Sequence, residues 1–143
     1  MKNHSNIKWA AIVAIIIISG ILFNACNFSV STANIKSAEL AKILPNGKSE
    51  KVGTTFHPDD GAFHLYVTVG NAPEDTKVKA SWYAVGTNAG KDELIDETEI
   101  TLGNQTEIDF SLSLPRPWPV GKYKVDLFLN NKADKSIDFE VKE

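Results

Sequence analysis

The fold of this chain is decided by the stretch Trp118-Pro119-Val120-Gly121-Lys122-Tyr123-Lys124-Val125-Asp126-Leu127-Phe128-Leu129. From Tyr123 onward the residues alternate between two faces, of which one carries Tyr123, Val125, Leu127 and Leu129. This period of two predicts a strand half-buried in an antiparallel sheet. Its approach is kept out of both helix and sheet ladder by Pro115, Pro117 and Pro119. The stretch therefore predicts a late core strand of a sandwich, onto which the earlier strands pack.

The chain around this strand contains further short segments with the same period. They predict strands within Ile35–Ile43, Lys51–Phe56, Phe63–Val69, Lys77–Val85, Leu94–Leu102, Thr106–Leu114 and Ile137–Val141. Gly86–Asp92 is expected to be a flexible loop, and Asn130-Asn131 a hairpin turn. No helical period occurs in this part of the chain. We therefore expect an all-β domain over residues 35–143, a single antiparallel sandwich of seven or eight strands.

Two aromatic residues give this sandwich a family resemblance. Trp82 lies in the middle of a strand, about 15 residues after Val67. Gly121-Lys122-Tyr123-Lys124-Val125 resembles the Gly-x-Tyr-x-Cys segment that opens strand F of immunoglobulin-like domains, with Val125 in place of the cysteine. The resemblance, which includes fibronectin-type domains, implies a buried Trp82 and a Tyr123 hydroxyl bonded back across the corner before its strand. It implies an architecture and no function.

The first 26 residues have the layout of a secretory signal. Met1 to Lys8 is polar and basic, and Trp9 to Phe23 is a run of 15 residues with nothing more polar than Ser19 and Gly20. A helix of this run would be about 22 Å long, shorter than the roughly 30 Å hydrocarbon core of a bilayer. Residues 1–26 are therefore expected to be a signal peptide or a membrane anchor.

Cys26, the only cysteine, directly follows this run. Here the chain resembles bacterial lipoproteins, in which such a cysteine is acylated and becomes the first mature residue. Ala25 and Leu22 suit that pattern, whereas Phe23 and Asn24 differ from it. The alternative is a free cysteine at the end of an uncleaved anchor. Residues 27–34 are rich in serine and asparagine and are expected to form a short tether.

Charge limits the classes of partner. Beyond residue 26 the chain carries 13 basic and 18 acidic side chains, a net charge of about −5. A negative domain does not fit a nucleic-acid interface, which needs a basic surface. Arg116 is the only arginine, the residue type best suited to bidentate recognition of carboxylate or phosphate.

Candidate binding residues fall into two groups. The first is the loop Pro115-Arg116-Pro117-Trp118-Pro119, called the proline loop below, because tryptophan and arginine often anchor interfaces and proline lowers the entropic cost of binding. Alternatively, Trp118 caps the end of the sandwich beside Tyr123. The second group is the outward aromatic residues, which could bind sugar or protein: Tyr66, Tyr83 and Phe128.

Catalytic and metal-binding patterns are weak in this sequence. His57, Asp59 and His64 cluster in the sequence but fit no strong zinc spacing. The acidic group Asp92, Glu93, Asp96, Glu97 and Glu99 lacks the spacing of a calcium loop and suits a charged edge strand. No nucleophile motif or phosphate-binding loop is present. The sequence thus predicts no metal, no cofactor and no enzymatic activity.

These patterns lead to one main hypothesis of function. The chain is expected to be an extracytoplasmic protein, held at the membrane by its N-terminal segment or by a lipid on Cys26, that acts as a protein- or glycan-binding module of the cell envelope. The alternative is a structural or assembly subunit of an envelope complex. A protease inhibitor is a third hypothesis, because some bacterial inhibitors have immunoglobulin-like folds.

Overall fold

The computed structural model describes residues 32–143, which form nine strands. No helix in this range could span a membrane. The predicted signal or anchor, Cys26 and most of the predicted tether lie outside the described residues. The strands are β1 (Asn34–Ile43), β2 (Ser49–Lys51), β3 (Thr55–Phe56), β4 (Phe63–Gly70), β5 (Lys77–Asn88), β6 (Lys91–Thr101), β7 (Glu107–Leu112), β8 (Gly121–Leu129) and β9 (Lys132–Val141).

The strands form two sheets. The four-stranded sheet has the order β2-β1-β4-β7, and the five-stranded sheet has the order β3-β9-β8-β5-β6. All pairs are antiparallel except that of β3 with β9. From β2 onward the chain changes sheet five times, so consecutive strands often lie in opposite layers. The all-β sandwich predicted from the period of two is confirmed.

The strand β8 occupies the centre of the five-stranded sheet, between β5 and β9. Its four predicted inward residues are 0–7 % exposed. In the register with β5, Val125 lies opposite Trp82, whose side chain is 1 % exposed. The facing sheet contributes the inward residues of β4, all of them buried: Phe63, Leu65, Val67 and Val69. The prediction that earlier strands pack onto β8 is therefore correct.

The number of strands differs from the prediction of seven or eight. The stretch Lys51–Phe56, expected to be continuous, is interrupted at Val52–Thr54, and its two parts lie in different sheets. β2 extends the edge beside β1, whereas β3 pairs in parallel with β9. A turn is needed here because the chain must cross from one layer to the other.

The expected flexible loop at Gly86–Asp92 is also wrong. β5 continues to Asn88 and β6 begins at Lys91, so that Ala89 and Gly90 alone connect them. Both connecting residues have positive φ, 52° at Ala89 and 80° at Gly90, as two-residue hairpins of type I′ require. This turn is hard to predict from the residue types, because alanine rarely adopts a left-handed conformation.

Candidate functional site

The proline loop connects β7 to β8 and crosses from one sheet to the other. Its Trp118 is only 2 % exposed and stacks on Phe63 with ring centroids 3.8 Å apart. The indole N–H donates to the carbonyl oxygen of Gly61, and the backbone N–H of Trp118 donates to that of Pro58 at 2.9 Å. Trp118 therefore has the position that the capping alternative expects, and its ring does not face solvent.

Tyr123 fixes the other end of the proline loop. Its hydroxyl donates a 2.7 Å hydrogen bond to the carbonyl oxygen of Pro119, and its ring stacks on Phe139 at 5.5 Å. Burial raises the pKa of the Tyr123 phenol, while the positive charge of Arg116 acts in the opposite direction. The hydrogen bond across the corner that the immunoglobulin resemblance implies is present. Together, Trp118 and Tyr123 hold the proline loop at both ends.

Arg116 is the exposed charged residue of this loop, and it lines two neighbouring cavities. The larger, of about 380 Å³, has apolar walls that include Leu94, Leu114 and Pro119, with Glu93 also among its lining residues. The smaller, of about 290 Å³, lies between the proline loop and the turn that contains Pro58 and Asp59. We call the larger one the Arg116 crevice. It combines an arginine with apolar surface on a loop fixed at both ends.

Leu94 and Leu114 line this crevice but were not predicted to be binding residues. Leu94 is 51 % exposed on the otherwise polar strand β6, and Leu114 is half-buried just after β7. A large apolar residue exposed on a charged edge strand was the available signal for Leu94. Its proximity to Arg116 could not be inferred, because 22 residues separate them along the chain.

The outward aromatic residues do not form one patch. Tyr83 and Phe128 lie on the outer face of the five-stranded sheet, whereas Tyr66 lies on β4 in the other sheet. The ammonium of Lys124 lies 5.0 Å from the ring centroid of Tyr83, and that of Lys79 lies 4.7 Å from that of Phe128. One face of each ring is therefore covered by a cation and is not open to a stacking ligand.

Carboxylates hold these two lysines in place. Lys124 pairs with Asp92 at 2.8 Å and with Asp126 at 3.7 Å, and Lys79 pairs with Glu97 at 3.5 Å. The hydrogen bond to Asp92 raises the pKa of Lys124. This face is thus a network of paired charges over aromatic rings. The acidic residues predicted to form a charged edge lie on β6, which is an edge strand.

Tyr66 has a different environment. It lies in a transverse row between Glu39 on β1 and Asp109 on β7, and it borders a groove of about 450 Å³. The ring of His64 stacks beside it with centroids 6.2 Å apart. Lys51 also lines this groove, where it pairs with Glu39 at 2.6 Å. Tyr66 therefore lies beside a groove that also contains charged groups.

His57 and His64 have different partners in the fold. Nδ1 of His64 lies 3.0 Å from a carboxylate oxygen of Asp109, a residue that sequence analysis did not connect with it. Near His57, the carboxylate of Asp60 accepts hydrogen bonds from the His57 N–H at 2.7 Å and from Lys42 Nζ at 2.9 Å. Within residues 32–143, no group of three or more histidine, cysteine or acidic residues is placed to hold a metal.

The ion pair between Asp60 and Lys42 stabilises the turn at residues 57–61, against which the proline loop packs. Burial alone would raise the pKa of the Asp60 carboxyl, but the hydrogen bonds from His57 and Lys42 outweigh it and lower the pKa below its ordinary value. The hydrogen bond between Lys42 and Asp60 also raises the pKa of Lys42. Both groups are therefore stabilised in their charged forms.

The sequence matches no family model and no curated protein. The fold is similar to that of an immunoglobulin-like protein from Pseudomonas aeruginosa, with a TM-score of 0.53 and 15% identity over 77% of this chain and 96% of that chain. An alkylpurine DNA glycosylase from Pseudomonas fluorescens has a TM-score of 0.46 and 16% identity, covering 78% of this chain and 30% of its own. Superoxide reductase (neelaredoxin) from Ignicoccus hospitalis has a TM-score of 0.43 and 14% identity, and the match covers 76% of this chain and 82% of that chain.

These comparisons establish an immunoglobulin-like fold and correct one prediction. The prediction that the chain is not an enzyme is wrong, because superoxide reductases are among the solved structures similar to this one. Missing sequence motifs do not exclude catalysis on such a fold. At TM-scores below 0.5, the two enzymes assign no activity to this chain.

Proposed function

We propose that this chain is a membrane-anchored protein of the cell envelope whose immunoglobulin-like domain binds a partner protein at the Arg116 crevice. The observation that carries the proposal is the fixed proline loop, which places the only arginine of the chain beside an apolar cavity of about 380 Å³. Such a combination of guanidinium and apolar wall is typical of the anchoring points of protein interfaces.

The rigidity of the loop favours binding. Trp118 and Tyr123 already hold the loop by hydrogen bonds to Pro58, Gly61 and Pro119, and three prolines restrict its backbone. A partner therefore orders little beyond the Arg116 side chain, which reduces the entropic cost of association. Arg116 is therefore the proposed anchor, and Trp118 supports the loop beneath the site.

The chemistry of the crevice suggests what the partner offers. Arg116 can donate to a carboxylate in a bidentate geometry, and the neighbouring Leu94 and Leu114 suit an aliphatic or aromatic side chain. We therefore expect a protein segment with an acidic residue next to an apolar one. Glu93 at the crevice disfavours a second acidic group at that point, which contributes specificity.

The membrane part of the proposal rests on the N-terminal sequence. The basic start, the 15-residue apolar run and Cys26 are the basis for an extracytoplasmic location with a lipid or a helix as anchor. The intact mass of the protein isolated from membranes of an expressing bacterium tests this. A mature chain starting at an acylated Cys26 fits the lipoprotein form, whereas a retained Met1 would contradict it and leave the uncleaved anchor.

Affinity capture from native envelope extract tests the binding site. The full chain is compared with Arg116→Ala, with Leu94→Asp and with Lys122→Ala, a matched control that removes an exposed positive charge from β8. We expect a captured protein to be retained by the wild type and the control and to be lost, by about ten-fold or more, from the first two variants.

Two outcomes would count against the proposal. Equal capture by all four versions would place the interface elsewhere on the domain. Capture of no protein by any version would favour the passive structural or assembly role. Circular dichroism of each variant establishes beforehand that it is folded.

A further inference from the structure

The strand β7 is a free edge with little of the protection that edge strands usually carry. The sheets have four edges: β2 has three residues, β3 has two, and β6 has two irregularities in its pairing and six charged side chains. β7 instead pairs with β4 over six residues without any shift of register. Short length, bulges and charge are the usual means of blocking an edge, and β7 has neither the short length of β2 and β3 nor the bulges of β6.

The hydrogen-bond pattern shows which backbone groups of β7 are open. The N–H of Val69 donates to the carbonyl oxygen of Thr106 at 2.8 Å, which makes these two residues a hydrogen-bonded pair. Alternation along an antiparallel ladder then turns Ile108 and Phe110 towards β4. The backbone groups of Glu107, Asp109 and Ser111 consequently point to the open side. An extended peptide can pair with them as an additional strand.

The outward side chains of β7 include two carboxylates. Glu107 and Asp109 lie on the outer face of the sheet and line the groove that contains Tyr66. Lys51 on β2 also lines this groove, where Glu39 pairs with it at 2.6 Å. Among residues 32–143, Glu107 forms no ion pair, and the Asp109 carboxylate bonds to His64 at 3.0 Å. Side chains of an added strand would stand directly across from these carboxylates, where opposite charges attract and like charges repel.

We propose that the free edge of β7 binds an extended basic segment of a partner protein as an additional strand. The outward residues of this segment would be lysine or arginine facing Glu107 and Asp109. Its inward residues would be apolar and would pack against the core beside Phe110. The inference does not depend on the Arg116 crevice, which favours an acidic group.

Charge distinguishes this occupant from two others. A second copy of the chain paired through its own β7 would bring Glu107 and Asp109 of both molecules together, which is unfavourable. The predicted tether, residues 27–34, contains no lysine, arginine or histidine to complement the edge. A basic segment from another protein meets both the backbone and the charge requirements.

Fluorescence anisotropy of a labelled peptide tests the proposal with the full chain in non-ionic detergent. The probe is a short peptide in which lysine and valine alternate. Its control has the same sequence and charge, but the amides on its pairing edge are N-methylated and cannot donate. We expect the control to bind about ten-fold more weakly or worse, because several backbone hydrogen bonds are lost.

Variants at Ser111 test the same edge from the protein side. Ser111→Pro removes an N–H that faces the open side and spares the ladder with β4, whereas Ser111→Ala retains that N–H. Peptide affinity should fall about ten-fold for the proline variant and change less than about two-fold for the alanine variant. Bound peptide should also slow hydrogen exchange at the amides of Glu107, Asp109 and Ser111.

Equal affinity for the methylated and unmethylated peptides would overturn the proposal, since attraction would then come from charge alone. Unchanged affinity in a folded Ser111→Pro protein would also overturn it. The methylated peptide decides the question with wild-type protein if the proline variant does not fold.

Discussion

The indole ring of Trp118 stacks on the phenyl ring of Phe63 with a centroid distance of 3.8 Å and an interplanar angle of 21°. Phe63 in turn contacts the rings of Phe56, Phe139 and Tyr123 at 4.3, 5.3 and 6.1 Å. An aromatic cluster thus fills this end of the sandwich between the two sheets. The loop that carries Arg116 is therefore attached to the core itself.

Replacing Trp118 with alanine should destabilise the domain by about 3–5 kcal/mol, because a large buried aromatic side chain is removed and a cavity is left. Urea unfolding followed by circular dichroism measures this. Val120→Ala is the control from the same segment, since Val120 is 55 % exposed. It should change stability by less than about 0.5 kcal/mol. Similar small effects for both variants would mean that Trp118 does not act as a cap.

Tyr123→Phe should cost about 0.5–1.5 kcal/mol, since it deletes the hydroxyl that bonds to Pro119 and leaves the stacking on Phe139 in place. Because the proline loop loses one of its attachments, Arg116 should also become more mobile. Chemical denaturation gives the first quantity, and NMR relaxation of the loop amides gives the second. A variant as stable as the wild type would show that the corner hydrogen bond contributes nothing.

Asp60→Asn should lower stability at neutral pH by about 1–3 kcal/mol, because Lys42 and the His57 N–H lose a charged acceptor. The pKa of Asp60 is lowered in the folded protein, so its contribution is present above the unfolded pKa of about 4 and is lost as the pH falls through the folded value. The stability difference between wild type and variant should therefore shrink below about pH 4.

Denaturation curves between pH 7 and pH 2 test this dependence. Asp59→Asn, which alters an exposed neighbour, serves as the matched control. The lowered pKa of Asp60 would be contradicted if the difference in unfolding free energy between wild type and Asp60→Asn stayed constant down to the lowest pH.

Ala89→Gly should stabilise the protein by about 0.5–1 kcal/mol. Ala89 has a φ of 52° in the β5–β6 turn, a conformation that costs an alanine energy and a glycine none. The entropy that glycine adds to the unfolded chain offsets part of the gain. Thermal unfolding measures the change. In the opposite direction, Asn131→Ala, at a φ of 65° in the β8–β9 turn, should destabilise.

Much of the strand structure could be predicted because the signal is local. Alternation along β4 and β8 identified their buried faces, and Asn130-Asn131 identified a hairpin in which both residues have positive φ. The hairpin at Ala89-Gly90 was missed because its first residue is not a usual turn former. The change of sheet after β2 was missed because an extended segment looks the same in either layer.

The candidate sites were predicted less completely. Arg116 was identified from its residue type, but the crevice beside it depends on Leu94, which is remote in sequence. Tyr83 and Phe128 were correctly placed on outward faces, yet their coverage by Lys124 and Lys79 depends on cross-strand register. Register is set by the packing of the whole sheet, so the pattern of one strand cannot reveal it.

The sequence by itself determined the all-β class, the buried face of β8 and the residues that act through their local conformation. The tertiary structure alone decided that Trp118 lies in the core, that His64 meets Asp109 and that β7 is a free edge. Trp118 bonds to Gly61, which is 57 residues away along the chain, and 45 residues separate His64 from Asp109. The physical reason is that alternation and turn chemistry act over a few residues, whereas strand order and contacts between loops arise when the two sheets pack together.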